Sequence, residues 1–205
     1  MNHPLQCKCG TLKGRVSHPE RAHRGLCYCR DCQAFAHLLD KRGEILDALG
    51  GSDVIAVKPA SVSFTQGMAE LGCMRLSDKG MLRWYARCCN TPIGNTPPDF
   101  RTAHVGLLHN CLEAAPGASL DSAFGPVTMW VNTQSAKGKA PAHPLRTIAT
   151  VLHFLPGLIG ERLSGRYRQT PFFDASGVPV VAPTVLSRDE HETLVRAVQQ
   201  ASSRP

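Results

Sequence analysis

Three short runs of cysteine carry the chemistry this sequence can do. Cys7-Lys8-Cys9-Gly10 places two thiols one residue apart before a turn-forming glycine. Cys27-Tyr28-Cys29-Arg30-Asp31-Cys32 places three thiols close together, and Cys88-Cys89-Asn90-Thr91-Pro92 places two side by side. Spacings of one or two residues let neighbouring thiolates reach one tetrahedral ion without a costly loop closure. Soft thiolates select zinc, Cu(I) or iron–sulfur over hard cations, and zinc is the default for structural thiolate sites in reducing compartments. Cys73 and Cys111 stand alone in stretches that read as strands, where an isolated cysteine is a small buried hydrophobe.

The elements that must position these thiols are mostly short. Residues 11–16, 53–57, 61–64, 71–76, 82–86 and 102–108 favour strands, with Ser77-Asp78-Lys79-Gly80 as a hairpin turn between two of them. A helix is expected over 31–39, directly after the three-cysteine run. The second half changes character. Residues 113–125 read as a connection and 136–144 as an exposed loop. Residues 144–165 read as a helical segment bent at Pro156-Gly157, and 169–183 as strand and loop. Ser187 and Glu190 form a capping box ahead of the apolar stripe Leu194, Val195 and Val198.

The order C-x-C-G, then C-x-C-x-x-C, then Cys89 followed by Thr91-Pro92-Ile93-Gly94-Asn95 resembles the glutathione-dependent formaldehyde-activating enzyme family, which includes centromere protein V. The resemblance covers roughly residues 5–96. It implies a mainly β fold, a zinc-bound β-tent of small antiparallel sheets, carrying here an α-containing C-terminal extension. The division expected is a zinc-binding domain over 1–112 and an extension with two helical segments over 113–205. The resemblance also implies two zinc ions. One would staple Cys7 and Cys9 to the terminal pair. The other would sit on Cys27, Cys29 and Cys32 with an open fourth position, as a catalytic zinc needs. The family's terminal pair is usually C-x-x-C-G, but here its first cysteine falls on Ala86 and its glycine on Asn90. Cys88, beside Cys89, is then the best candidate for the fourth ligand, provided that the chain turns there. Asn90 suits such a turn because Asn enters the left-handed region more easily than most residues.

The family joins formaldehyde to glutathione, so the resemblance implies a zinc-dependent carbon–sulfur lyase-like protein acting on a thiol–aldehyde adduct. Arg15, Arg24 and Arg30 are candidate holders of the glutathione carboxylates. Asp31 and Gln33 could orient ligands, or Asp31 could simply favour the helix dipole. His18, His23 and His37 lie near the cluster in sequence but are left outside the site. The alternative is a non-catalytic zinc module that contacts protein or nucleic acid. Six Lys and Arg between Lys137 and Arg168 stand against one acid, Glu161. Aromatic interleaving there is thin, so nucleic acid is disfavoured as a partner.

Composition sets outer bounds. Apolar residues make up 42% of the 205, which is enough for a packed core and against global disorder. The formal net charge of +7 counts every Cys as neutral. Seven thiolates around two Zn²⁺ would lower it to about +4, which weakens the case for an anionic partner. The N-terminus lacks a signal-peptide h-region, and the most apolar run, 148–159, is too short to span a bilayer. A soluble, cytoplasmic protein with no membrane partner is therefore expected. Its nine Cys would be thiols or metal ligands there, not disulfides.

Overall fold

The computed structural model describes residues 2–113 and 119–202. In chain order its strands and helices begin with β1 (Asn2–Gln6), β2 (Lys13–Ser17), β3 (His23–Cys27), α1 (Arg30–Leu38), α2 (Arg42–Ile45), β4 (Ser52–Val57) and β5 (Val62–Gln66). They continue with β6 (Leu71–Arg75), β7 (Leu82–Ala86), β8 (Thr91–Thr96), β9 (Val105–Leu108), α3 (His109–Glu113) and α4 (Leu120–Phe124). The last are β10 (Met129–Val131), α5 (Pro144–Leu163), β11 (Thr184–Val185) and α6 (Arg188–Ser202). With six α-helices beside eleven strands among the described residues, the fold is mixed α/β, not mainly β as expected. The reason is that three longer helices pack on the strands: α1 after the cysteine run, α5, and α6.

The strands form two sheets. One has the order β1-β2-β5, and the other β10-β3-β4-β9-β8-β7-β6-β11. Neighbours are antiparallel except at the two edges of the larger sheet, where β10 runs parallel to β3 and β11 parallel to β6. Both edge strands come from the second half of the chain, and no sequence signal marks segments so short. The main core lies between the sheets. Leu5, Leu12 and Val16 from the smaller sheet and its turn meet Ile55, Trp84, Ile93 and Leu107 from the larger one. Strand β7 shows why its residues form this element. Leu82, Trp84 and Ala86 alternate onto the core, which sends Arg83 to the opposite face.

The segment after α5 joins this core. Phe172 is fully buried, edge-on to Phe64 at 5.8 Å and against Trp84 at 5.1 Å. Helix α5 runs through Pro156 to Leu163 as one element. The capping box of α6 is formed: the Ser187 amide donates to Glu190 Oε2 at 2.8 Å, and the Glu190 amide donates to Ser187 Oγ at 3.3 Å. Cys73 lies in β6 as expected, but Cys111 sits in helix α3, not in a strand. Both are buried, and the Cys111 thiol donates to the Leu108 carbonyl at 3.1 Å. Residues 114–118 of the expected connection lie outside the described residues, and α4 follows them, capped by the Ser119 side chain. Among the described residues no helix is long and apolar enough to cross a membrane.

Truncating Phe172 to Ala removes a ring from the middle of this core. The variant should lose about 3–5 kcal/mol of stability in chemical denaturation, and a loss under 1 kcal/mol would mean that the 170s segment does not dock as described.

Candidate metal centres

Two turns face each other at the first cysteine group. Cys7 to Gly10 is closed by the Gly10 amide donating to the Cys7 carbonyl at 2.9 Å, with Gly10 at φ 74°. The β7–β8 hairpin reverses over residues 87–90, with Asn90 at φ 54°. Because residues 87–90 form a turn and not an extended strand, the alternation of side chains does not hold there, and the Cys88 and Cys89 sulfurs lie 3.9 Å apart. The four Sγ atoms of Cys7, Cys9, Cys88 and Cys89 all lie within 4.8 Å of one another. The resolved separations are 3.3 Å for Cys9–Cys88, 3.5 Å for Cys7–Cys9, 3.7 Å for Cys7–Cys88 and 3.9 Å for Cys88–Cys89. A tetrahedral ion with metal–sulfur bonds of about 2.3 Å needs its sulfurs about 3.8 Å apart, so the donor set fits such an ion. Backbone and hydroxyl groups are already aimed at the sulfurs. The Leu12 amide donates to Cys7 Sγ at 3.2 Å, and Thr91 Oγ1 lies 3.0 Å from Cys89 Sγ. The Thr11 hydroxyl and amide pull the Cys9 thiol down to about 6, which readies it as a thiolate.

The second group is built at a strand–helix junction. Cys27 ends β3, Cys29 is the N-cap of α1, and Cys32 lies in that helix's first turn. Tyr28 points the other way, into the core, with its hydroxyl 3.4 Å from Asp47. The three Sγ atoms lie within 4.8 Å of one another, with Cys27 and Cys32 at 3.7 Å. The Cys32 amide donates to Cys29 Sγ at 3.3 Å, so the positive end of the helix faces the thiols. Cys32 is held well below an ordinary thiol by hydrogen bonding with Cys27 and Cys29 and by the Arg83 charge, against the push of burial. Cys27 is pushed strongly up by its hydrogen bonds with Cys29 and Cys32 and by burial. No fourth Cys, His, Asp or Glu joins this group among the described residues.

A cavity of about 260 Å³ opens beside these three thiols. Arg83, Asn95 and His104 supply its polar wall, while Val54, Met81 and Val131 are among its apolar residues. Arg83 is 3% exposed. Its Nη1 donates to Asn95 Oδ1 at 2.9 Å and to Cys32 Sγ at 3.5 Å, and its Nη2 lies 3.7 Å from Asp31. Asn132 sends Nδ2 to Cys27 Sγ at 3.8 Å from the far side of the chain. His104 is pushed down to about 4 by burial, so its imidazole is neutral at pH 7.

Several expected roles go elsewhere. Arg24 is committed to Asp53, with contacts of 2.6 to 3.0 Å, and to Asp121, so it cannot also hold a ligand. Arg15 and Arg30 are exposed and do not line the cavity. Arg83 is the cation that does, and it was missed because a charge between Leu82 and Trp84 reads as the solvent side of a strand. Asp31 pairs with Arg83, and Gln33 ties the Tyr28 and Ser135 carbonyls at 2.8 and 3.0 Å. His18 and His23 line a separate cavity, and His37 lines neither.

The sequence matches one family model over residues 1–183, described as a family of unknown function, DUF6151. The chain belongs to that family. No curated protein matches it. A solved crystal structure of a Rhodobacter sphaeroides protein is similar to it at 16% identity and a TM-score of 0.42, covering 62% of this chain and 99% of that one.

Two outcomes are expected. Protein purified without added metal should carry two metal ions per chain by atomic emission, falling to one in Cys32→Ser. His104 binds its proton at about 4 when folded but near 6.5 when unfolded, so the unfolded chain takes up more protons between those values. Stability should therefore fall as pH drops from about 6.5 towards 4, by up to roughly 3 kcal/mol. Urea midpoints across that range should flatten in His104→Leu relative to wild type, and parallel curves would contradict the assignment.

Proposed function

We propose that the chain is a zinc protein of the β-tent type, and that the open three-thiol site is a carbon–sulfur lyase-like centre for a thiol–aldehyde adduct. One observation carries this reading: three thiols that converge with no fourth protein ligand among the described residues face a cavity that holds a buried cation. The four-thiol group supports a closed structural site, and the three-thiol group an open one. Zinc is favoured over harder cations because every ligand is a thiolate.

The chemistry is addition of a thiol across an aldehyde carbonyl. The sulfur–carbon bond forms as the thiol proton passes to the carbonyl oxygen, and the reverse step breaks the same bond. A bound Zn²⁺ would supply modest Lewis acidity and favour the thiolate form of an incoming thiol. The chain's own residues do the rest. Arg83, fixed by Asn95 and Asp31, offsets the negative charge of the thiolates and can orient a carboxylate. Asn95 is oriented by Arg83 and can donate an amide N–H to the developing alkoxide. Val54, Met81 and Val131 limit water at the reacting carbon. One cation on a largely apolar wall suits a small thiol better than the two carboxylates of glutathione.

Cobalt substitution tests the reading. Adding a thiol to the Co²⁺ protein should change its visible spectrum as a sulfur joins the open site, and Cys32→Ser should abolish the change. Arg83→Lys should keep the metal but weaken thiol binding on the order of tenfold. A spectrum unmoved by glutathione, cysteine or 2-mercaptoethanol would leave a non-catalytic zinc module as the better reading.

A further inference from the structure

The cavity that holds His18 and His23 has a volume of about 320 Å³ and adjoins the thiol site. The Phe154 ring touches both, meeting His23 at 5.3 Å and His104 at 5.5 Å. Its walls are the end of β2, the start of β3, the residues after β4, helix α5 and the turn that follows α5. Every ionisable side chain that lines it among the described residues is basic: Arg21, Lys58 and Arg166, with His18, His23 and His153. Burial and the charge of His153 hold His23 below the usual imidazole range. The permanent charge is therefore that of Lys58 and the two arginines. Two carboxylates touch these groups from outside the lining. Glu20 is exposed, 3.2 Å from His18 and 4.0 Å from Arg21, a pairing worth little in water. Glu161 is 4% exposed, pairs with Lys58 Nζ at 2.9 Å and lies 3.7 Å from Arg166 Nε. Burying that carboxylate is costly, and its effect is to hold two cations at one wall. Helix α5 carries Gly157 where it faces this space, and a Cβ there would come within 3.6 Å of Lys58 Cε. A larger side chain would crowd the lysine.

We infer that this cavity binds the phosphate monoester of a small soluble molecule. Three permanent cations from three separate segments of the chain face one space. A phosphate monoester carries about −1.5 to −2 charge at pH 7 and three strong acceptor oxygens, which suits three convergent cations. A carboxylate offers one charge and two oxygens, and so leaves part of this wall unmatched. Arg21 and Arg166 supply planar forks for paired oxygens, and Lys58 supplies a point charge. The volume lies at the lower end of the ~300–1,000 Å³ range of small-molecule sites. That leaves room beyond the phosphate for an organic body against Phe154, Val57 and Ala22. A nucleic acid is the less favoured anion, because its backbone follows a track of cations with stacking aromatics, and here the cations close on one cavity. This inference does not depend on the chemistry proposed for the thiol sites.

Isothermal titration of the metal-loaded full chain with glycerol 3-phosphate tests the inference, with succinate as the dicarboxylate control. Saturable binding at one site per chain is expected, with a Kd on the order of 100 µM at physiological salt. Arg21→Gln should weaken it about tenfold. Lys58→Met alone would strand the buried Glu161, so the informative variant is Lys58→Met with Glu161→Gln, which removes cation and acid together. That pair should weaken binding on the order of a hundredfold while metal content and circular dichroism stay unchanged. Arg188→Gln lowers the net charge equally, but on α6 and outside the lining, and should leave binding unchanged. Any of four results would overturn the inference: no saturable binding of the ester at millimolar concentration; succinate bound as tightly as the ester; Arg188→Gln as damaging as Arg21→Gln, the mark of diffuse attraction to a basic chain; or capture of phosphatidate-containing vesicles with no binding of the soluble ester, the mark of a lipid headgroup.

Discussion

Thiolates brought within 4.8 Å of one another repel unless a cation lies among them. That constraint governs two regions of this chain at once. At the first, the sulfurs of Cys7 and Cys9 meet those of Cys88 and Cys89, which stand about eighty residues away. A cation there would close a long loop and join the smaller sheet to the β7–β8 hairpin of the larger one. Without it, proton sharing and a few amide donors must hold the turns together, which is a weaker arrangement for an exposed Cys9 and Cys88. The Lys8 amide donating to Thr91 Oγ1 at 3.0 Å adds a contact between the turns that does not depend on the sulfurs.

At the second region the same repulsion is met partly by the protein. The N-terminus of α1 directs positive charge at Cys29 through the Cys32 amide, and the guanidinium of Arg83 directs it at Cys32. This makes the three-thiol group less dependent on a closed coordination shell than the four-thiol group. It also explains why a buried arginine is tolerated there. Its Nη1 donates to Cys32 and Asn95, its Nη2 faces Asp31, and Phe35 lies 5.7 Å from it.

What could be read in the sequence was whatever is decided locally. The grouping of Cys27, Cys29 and Cys32, the strand over residues 82–86, the turn at Cys88-Cys89 and the capping box at Ser187 and Glu190 each depend on neighbours within a few residues. What escaped is decided by pairing at a distance. Strands β10 and β11 exist because β3 and β6 offer free edges, not because three or two residues favour extension. Arg83 became part of the site only because α1 lies over that face of β7. Cys111 was misplaced because an apolar stretch after residue 105 does not reveal where β9 ends and α3 begins. The reach of Asn132 to Cys27 spans more than a hundred residues, and no local pattern encodes it.

One side of the three-thiol cavity comes from the second half of the chain, with Met129 and Val131 in its lining. Val131 pairs with Cys27 across the edge of the sheet, and Asn132 lies over that cysteine's sulfur. On a ribosome the thiols therefore emerge 105 residues before the residue that covers them. At about 5–20 residues per second that leaves a window of roughly 5–20 s. In that interval the nascent chain displays three open thiols to the surrounding pool of ions and oxidants. An ion that reached the three thiols in that interval would be bound before Val131 and Asn132 come to lie beside them.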